Sequence, residues 1–190
     1  MHSESPIEAP PEQLAWRGAD VEQILVDRGW LQPGDARQPD AREQGPRLEE
    51  WLERAAQLLG PHAGDRSQLA ALLERVFVYD AAALLRQPEN QAVLARAGGR
   101  EIIRELANDV LPGGEIDSDR FKEIIEALKS ALPYRSRALF QPIRLALAGQ
   151  AGEGEFDRVI LLLDSASKLN FVTPVKNTHR RMLEFCAALD

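Results

Sequence analysis

The spacing of the apolar residues leaves this chain one kind of secondary structure to build with. From Leu48 onward large side chains recur three and four positions apart: Leu48, Trp51, Leu52, Ala55, Leu58 and Leu59, then Leu69, Leu72, Leu73 and Val76. That repeat follows the 3.6-residue helical turn and puts each set on one stripe. No segment alternates apolar and polar residues with the period of two that a half-buried strand needs. Val76-Phe77-Val78-Tyr79 is the one strand-like run; it lacks a partner of comparable strength and reads as the apolar end of a helix entering a turn. The expectation is an all-α fold, a helical bundle with no internal repeat.

Punctuating residues divide the pattern. Asp20 reads as the N-cap of a short helix carrying Val21, Ile24, Leu25 and Trp30, and the polar, proline-rich stretch 32–46 as a linker. Gly60-Pro61 stops the next helix, Asp65 and Asp80 cap the two that follow, and Pro88 fits a first helical position. Gly98-Gly99 breaks the chain again, Ile102, Ile103, Leu106 and Val110 mark another helix, and 111–114 form a loop. Asp117 or Ser118 caps a helix ended by Pro133; Gly149 closes the one after it. A helix over 156–163 follows, and the tail breaks near Asn170 and restarts at Pro174. The expected organisation is a flexible lead-in with one short helix and linker (1–47), a first helical subdomain (48–111), a second (115–164) and a C-terminal helical extension (165–190).

Composition excludes several function classes. At 190 residues, 44% hydrophobic and 28% charged, the chain is ordinary globular material. No apolar run reaches bilayer-spanning length, so no membrane partner is expected. The N-terminus is acidic and proline-rich, without the cationic start and apolar core of a signal peptide. The single Cys186 cannot form an internal disulfide, which points to a reduced, cytoplasmic setting. His2, His62, His179 and Cys186 have no metal-ligand spacing, and neither a metal nor a cofactor is expected. Glu49, Glu50 and Glu53, like Glu123 and Glu126, are spaced as solvated helix faces.

Charge is where the chain departs from the ordinary. Between Lys129 and Gly152 stand four basic residues, Lys129, Arg135, Arg137 and Arg144, and no acid. The whole chain carries −7, so with +4 in this window the remainder sums to −11. A cationic helix on an anionic protein is the electrostatic footprint expected for a polyanion. A second basic cluster lies at 176–181, KNTHRR, either extending such a surface or forming a solvated helix face.

The order of residues in 134–149, YRSRALFQPIRLALAG, resembles the C-terminal anticodon-binding region of bacterial glutamyl-tRNA synthetases, where a Lys-Gly-Lys-like turn leads into Leu-Phe-x-Pro-Leu-Arg-x-Ala-Leu-x-Gly. In that family a short loop and a helix ending Ile-x-x-Leu-Leu-Gly follow; here the corresponding residues are Gly152-Glu153-Gly154-Glu155-Phe156 and Ile160-Leu161-Leu162-Leu163-Asp164. Including the weaker upstream likeness, the resemblance covers 48–163. It implies an anticodon-binding helical module whose partner is tRNA with a tRNA-Glu-like anticodon stem-loop. A catalytic synthetase chain is a further implied partner. The family's catalytic half needs a His-x-Gly-His signature and a Lys-x-Ser-Lys-type loop; neither is present, and the module is not expected to charge tRNA alone.

The resemblance carries RNA-binding roles onto Arg135, Arg137, Arg144, Glu153, Gly154 and Phe156. Arg144 is the arginine of the Pro-Leu-Arg motif, whose planar fork suits both pairing with a base edge and stacking on it. From its residues alone it is equally a helix arginine whose stem covers apolar neighbours. Arg135 and Arg137 begin a helix, where unpaired N–H groups also favour anions, and suit phosphate contact. Phe140 reads as core beside Leu139 and Ile143, and Pro142 as a device that bends or starts the helix so that Arg144 faces outward. Glu153 and Glu155 depart from the family's Thr-Pro or Gly-Pro pair; a carboxylate there repels phosphate but can accept from a cytosine amine. Three readings stay open: a tRNA-binding module, a helical protein-interaction domain that kept the fold and lost RNA, and the C-terminal piece of a split synthetase acting in trans. The RNA reading expects Arg135, Arg137, Arg144 and 176–181 to converge on one face.

Overall fold

The computed structural model describes residues 15–33 and 45–189, so the expectations for 1–14 and for most of the linker lie outside the described residues. Helix α1 spans Gly18–Asp27, α2 Gly45–Leu59, α3 Arg66–Phe77, α4 Ala81–Leu85 and α5 Pro88–Ala95. They are followed by α6 Gly99–Val110, α7 Ser118–Ala131, α8 Ser136–Ala148, α9 Glu155–Ala166 and α10 Thr178–Leu189. A 3-10 turn at Gly60–His62 separates α2 from α3, and no strand occurs among the described residues. The fold is all-α, as the periodicity requires.

Several helices begin where a polar side chain can serve an orphan N–H. Asp65 accepts from the Gln68 amide at 2.8 Å, Asp80 from Ala83 at 2.9 Å, and Asp117 from Asp119 and Arg120 at 3.0 and 2.8 Å. Pro88 occupies the first turn of α5. Two boundaries differ from expectation. Asp20 lies inside α1, which starts two residues earlier; its carboxylate reaches back to accept from the Arg17 amide at 2.9 Å. The last helix begins at Thr178 and not at Pro174, because Asn177 is the residue whose side chain accepts from the Arg180 amide, at 2.8 Å.

Helices α8 and α9 lie at the centre. All residues of α8 from Pro142 to its end are buried, as are Val159 to Asp164 of α9. Helices apolar on every side belong in an interior. Helix α9 packs on α2, α3 and α8; α8 also packs on α5, α6 and α10. One contiguous core therefore runs from Val21 of α1 to Phe185 of α10. An aromatic cluster fastens its α1–α3 end: Trp30 stacks on Phe77 with centroids 4.7 Å apart, and Phe171 meets Trp51 and Phe77 edge-on at 5.2 and 5.0 Å. The carboxylates read as solvated are partly structural, since Glu53 accepts from the Gly18 amide at 2.9 Å and joins α2 to α1.

Candidate nucleic-acid interface

The acid-free segment becomes the turn into α8 and the helix itself. Arg135 is the N-cap, in extended conformation, and Ser136 follows with φ of 49°, in the left-handed region. A side chain there costs on the order of 1 kcal/mol or more. The Lys-Gly-Lys-like turn this segment resembles has glycine between its cations, which meets no such cost. The turn is pressed against the α5–α6 junction. A Cβ on Gly98, itself at φ of 86°, would fall 2.2 Å from the Tyr134 ring, whose hydroxyl donates to Glu101 at 3.0 Å.

The three arginines meet three different fates. Arg135 is exposed and folds its guanidinium onto the end of α7, donating to the carbonyls of Leu132 and Tyr134 at 2.7 and 2.6 Å. Those carbonyls leave its charge without a carboxylate partner among the described residues. Arg137 is exposed and paired with Glu153 at 2.7 Å. Its hydrogen bond and charge hold the Glu153 carboxyl below the usual carboxylate range. Arg144 is buried, and the expectation that Pro142 turns it outward is corrected. Pro142 sits in the interior of α8, and Arg144 donates to both oxygens of Asp157, at 2.7 and 2.8 Å, and to the Gly152 carbonyl at 3.0 Å. Its guanidinium also lies 5.0 Å from the centre of the half-buried Phe140 ring. The reason is the first turn of α9, which delivers Asp157 to the fork once Gly149, at φ of 76°, has turned the chain back on α8.

The same turn fixes the loop of the candidate site. Glu153 is held at its tip by Arg137, while Gly154 starts α9 with open space around it. Phe156 points inward and its ring lies against Gly152. Arg137, Glu153 and Gly154 thus form the outer layer of the site, with Arg144, Asp157 and Phe156 beneath as its support.

The second basic cluster does not join this surface. Arg181 is fully buried, donating to the carbonyls of Lys176, Arg75, Leu147 and Val76 at 2.6 to 3.0 Å, with its guanidinium 4.6 Å from the Tyr79 ring centre. Burial pulls the guanidinium below its ordinary value, against the opposing pull of Tyr79, Asp164 and Glu184. Lys176 and Arg180 are both paired with Glu184, at 2.6 and 2.9 Å. Because Arg181 binds the carbonyl of Leu147 near the end of α8, it sits about 18 Å along the helix axis from Arg135, twelve residues at 1.5 Å each. Convergence of the two clusters on one face is not observed.

Two functional supports escaped the sequence reading. Tyr79 is buried and donates to the Ala146 carbonyl at 2.5 Å, locking α8 to the α3–α4 junction. Asp164 accepts from the amides of Ile116 and Thr178, at 2.6 and 2.7 Å, and from the Thr178 hydroxyl at 2.9 Å. Its carboxylate fixes α10 to the rest. Among the described residues no cluster of His, Cys, Asp or Glu has the arrangement of a metal site, and no helix is long and apolar enough to cross a membrane.

The chain is 27% identical over 123 residues to glutamate–tRNA ligase 2 of Syntrophus aciditrophicus (strain SB), an alignment covering 62% of this chain and 24% of that protein. It therefore spans about a quarter of the length of the curated relative it matches. No solved structure matches. Residues 32–166, well over half of the chain and including all of α2 to α9, match the family described as anticodon binding domain. With helices α8 and α9 and the arginine-bearing turn inside that match, the chain belongs to the anticodon-binding domain family.

Proposed function

We propose that the protein is a tRNA-binding module that recognises an anticodon stem-loop of the tRNA-Glu type and acts beside a catalytic chain, without charging tRNA itself. The observation that carries this reading is the outer layer at the start of α8. Arg135 presents a charge with no carboxylate partner among the described residues, and Arg137 stands two residues on, paired only with an exposed carboxylate that RNA phosphate can displace. Glu153 lies against Arg137, so once released its carboxylate is free to accept from a base amine. Arg144 and Phe156 serve this surface from beneath, holding the loop rather than touching RNA.

Fluorescence titration against total tRNA at low and moderate salt tests the reading. The expected result is salt-sensitive binding that an Arg135→Ala/Arg137→Ala variant loses. Absence of binding at low salt, or equal binding by that variant, would overturn it. Arg144 stays unsubstituted here, since its removal disturbs the fold.

A protein-interaction domain that has lost RNA is the competing function. It draws on the ion pairs of Arg137 with Glu153 and of Arg144 with Asp157, which neutralise much of the cationic segment, and on the net charge of −7. Recovery of a protein partner insensitive to RNase, without tRNA, would support that alternative.

A further inference from the structure

The charges that the fold leaves available differ from those the linear sequence brings together. Arg137 and Arg144 are matched by carboxylates, whereas Arg96, outside the basic segment altogether, is exposed and has no carboxylate partner among the described residues. It lies at the end of α5 and crosses to α8, where it donates to the Gln141 side chain at 2.8 Å. Gln141 is one helical turn beyond Arg137, so the two occupy neighbouring places on the same face of α8. Two residues after Arg96, Gly98 carries the Tyr134 ring that precedes Arg135. The α5–α6 junction therefore touches α8 at both ends of this stretch, beside Tyr134 and at Gln141. From Arg135 to Gln141 the helix axis advances about 9 Å, six residues at 1.5 Å each.

We propose that Arg96, positioned by Gln141, is an RNA phosphate-contact residue, extending the surface of Arg135 and Arg137 onto the α5–α6 junction. The inference rests on the tRNA-binding reading above and adds a contact from a segment some forty residues upstream of the basic turn. A guanidinium suits the role. Gln141 holds one arm of the fork through a neutral acceptor, which fixes direction without cancelling charge, and the remaining N–H groups are free for a phosphate oxygen. Gln141 in turn presents its own amide beside the same space.

The test is titration of labelled total tRNA with the full chain at several salt concentrations, for wild type, Arg96→Gln, Gln141→Ala and, as a distant control, Arg54→Gln on α2. Arg96→Gln is expected to weaken binding roughly 3- to 10-fold, and the slope of log K against log salt to become shallower by about 0.7 to 0.9, the signature of one lost phosphate contact. Gln141→Ala keeps the charge, so binding weakens by a smaller factor with the slope retained. Arg54→Gln leaves both unchanged. Wild-type binding that Arg96→Gln matches in affinity and slope overturns the role of Arg96 and leaves the tRNA reading standing. Failure of the wild type to bind at low salt overturns both. Equal losses for Arg96→Gln and Arg54→Gln show diffuse attraction and also overturn the assigned contact.

Discussion

Two stretches of this chain look alike on paper, RSR at 135–137 and HRR at 179–181, each at the start of a helix. In the folded protein they do opposite work. Arg135 and Arg137 stay in water, with guanidinium groups spent on helix-end carbonyls and on an exposed glutamate. Arg181 is drawn fully inside, where four backbone carbonyls from three segments surround it and Tyr79 lies against its face. A charge removed from water is tolerated only with nearly every donor satisfied. The cage around Arg181 meets that condition and makes it a bolt between α3, α8 and α10. Arg144 lies between these extremes: buried, yet with a carboxylate at its fork and one edge of its support in the loop at the surface. An arginine's charge says nothing about which of these roles it has; its neighbours decide.

This contrast can be broken by substitution. Arg181→Met is the most severe case, since it leaves carbonyls of Arg75, Val76, Leu147 and Lys176 without their donor. The expected loss is about 3–5 kcal/mol in denaturant unfolding; a loss comparable to that of a surface arginine would deny the bolt. Arg144→Ala strands Asp157 and the Gly152 carbonyl and is expected to cost about 2–4 kcal/mol. Arg144→Lys keeps the charge but not the fork and should recover only part of that loss. A tRNA-binding defect in Arg144→Lys, with stability largely recovered, would move the residue from support to contact. Ser136→Gly relieves a left-handed backbone and is expected to stabilise by about 0.5–1 kcal/mol, visible as a small rise in unfolding midpoint.

The mildest probe is pH. Arg137 lowers the folded-state pKa of Glu153 relative to the unfolded chain. The pair therefore contributes fully above the ordinary glutamate range and is lost as pH falls through the depressed value. Carbon-detected NMR titration should place the Glu153 midpoint below the ordinary glutamate range, and Arg137→Gln should raise it toward that range. A wild-type Glu153 midpoint within the ordinary glutamate range would show that the pair is not populated in solution.

Much of the scaffold was readable before folding because it depends on local rules. Asp65, Asp80 and Asp117 cap helices since a short carboxylate three residues before an amide can reach it whatever surrounds them. Gly149 ends α8 since only glycine adopts its backbone without a clash, and Pro88 opens α5 for a similarly local reason. Asp20 shows the limit of the rule: its carboxylate can serve an amide ahead or one behind, and position in the sequence does not say which. The site is less legible. Pro142 two residues before Arg144 suggested an outward turn, but the direction was set by Asp157, thirteen residues on and brought back by the Gly149 turn. Arg181 gave no sign of burial, because the carbonyls that hold it come from residues up to 106 positions away.

The sequence by itself determined an all-helical chain, most of its breaks and caps, and a basic turn whose residue order resembles an anticodon-binding helix, because periodicity, capping and turn chemistry act over a few residues. Only the tertiary structure decided which cations remain available. Electrostatic pairing is settled by whichever groups packing brings within about 3 Å, and that packing took Arg144 and Arg181 inside, occupied Arg137, and set Arg96 beside the turn into α8.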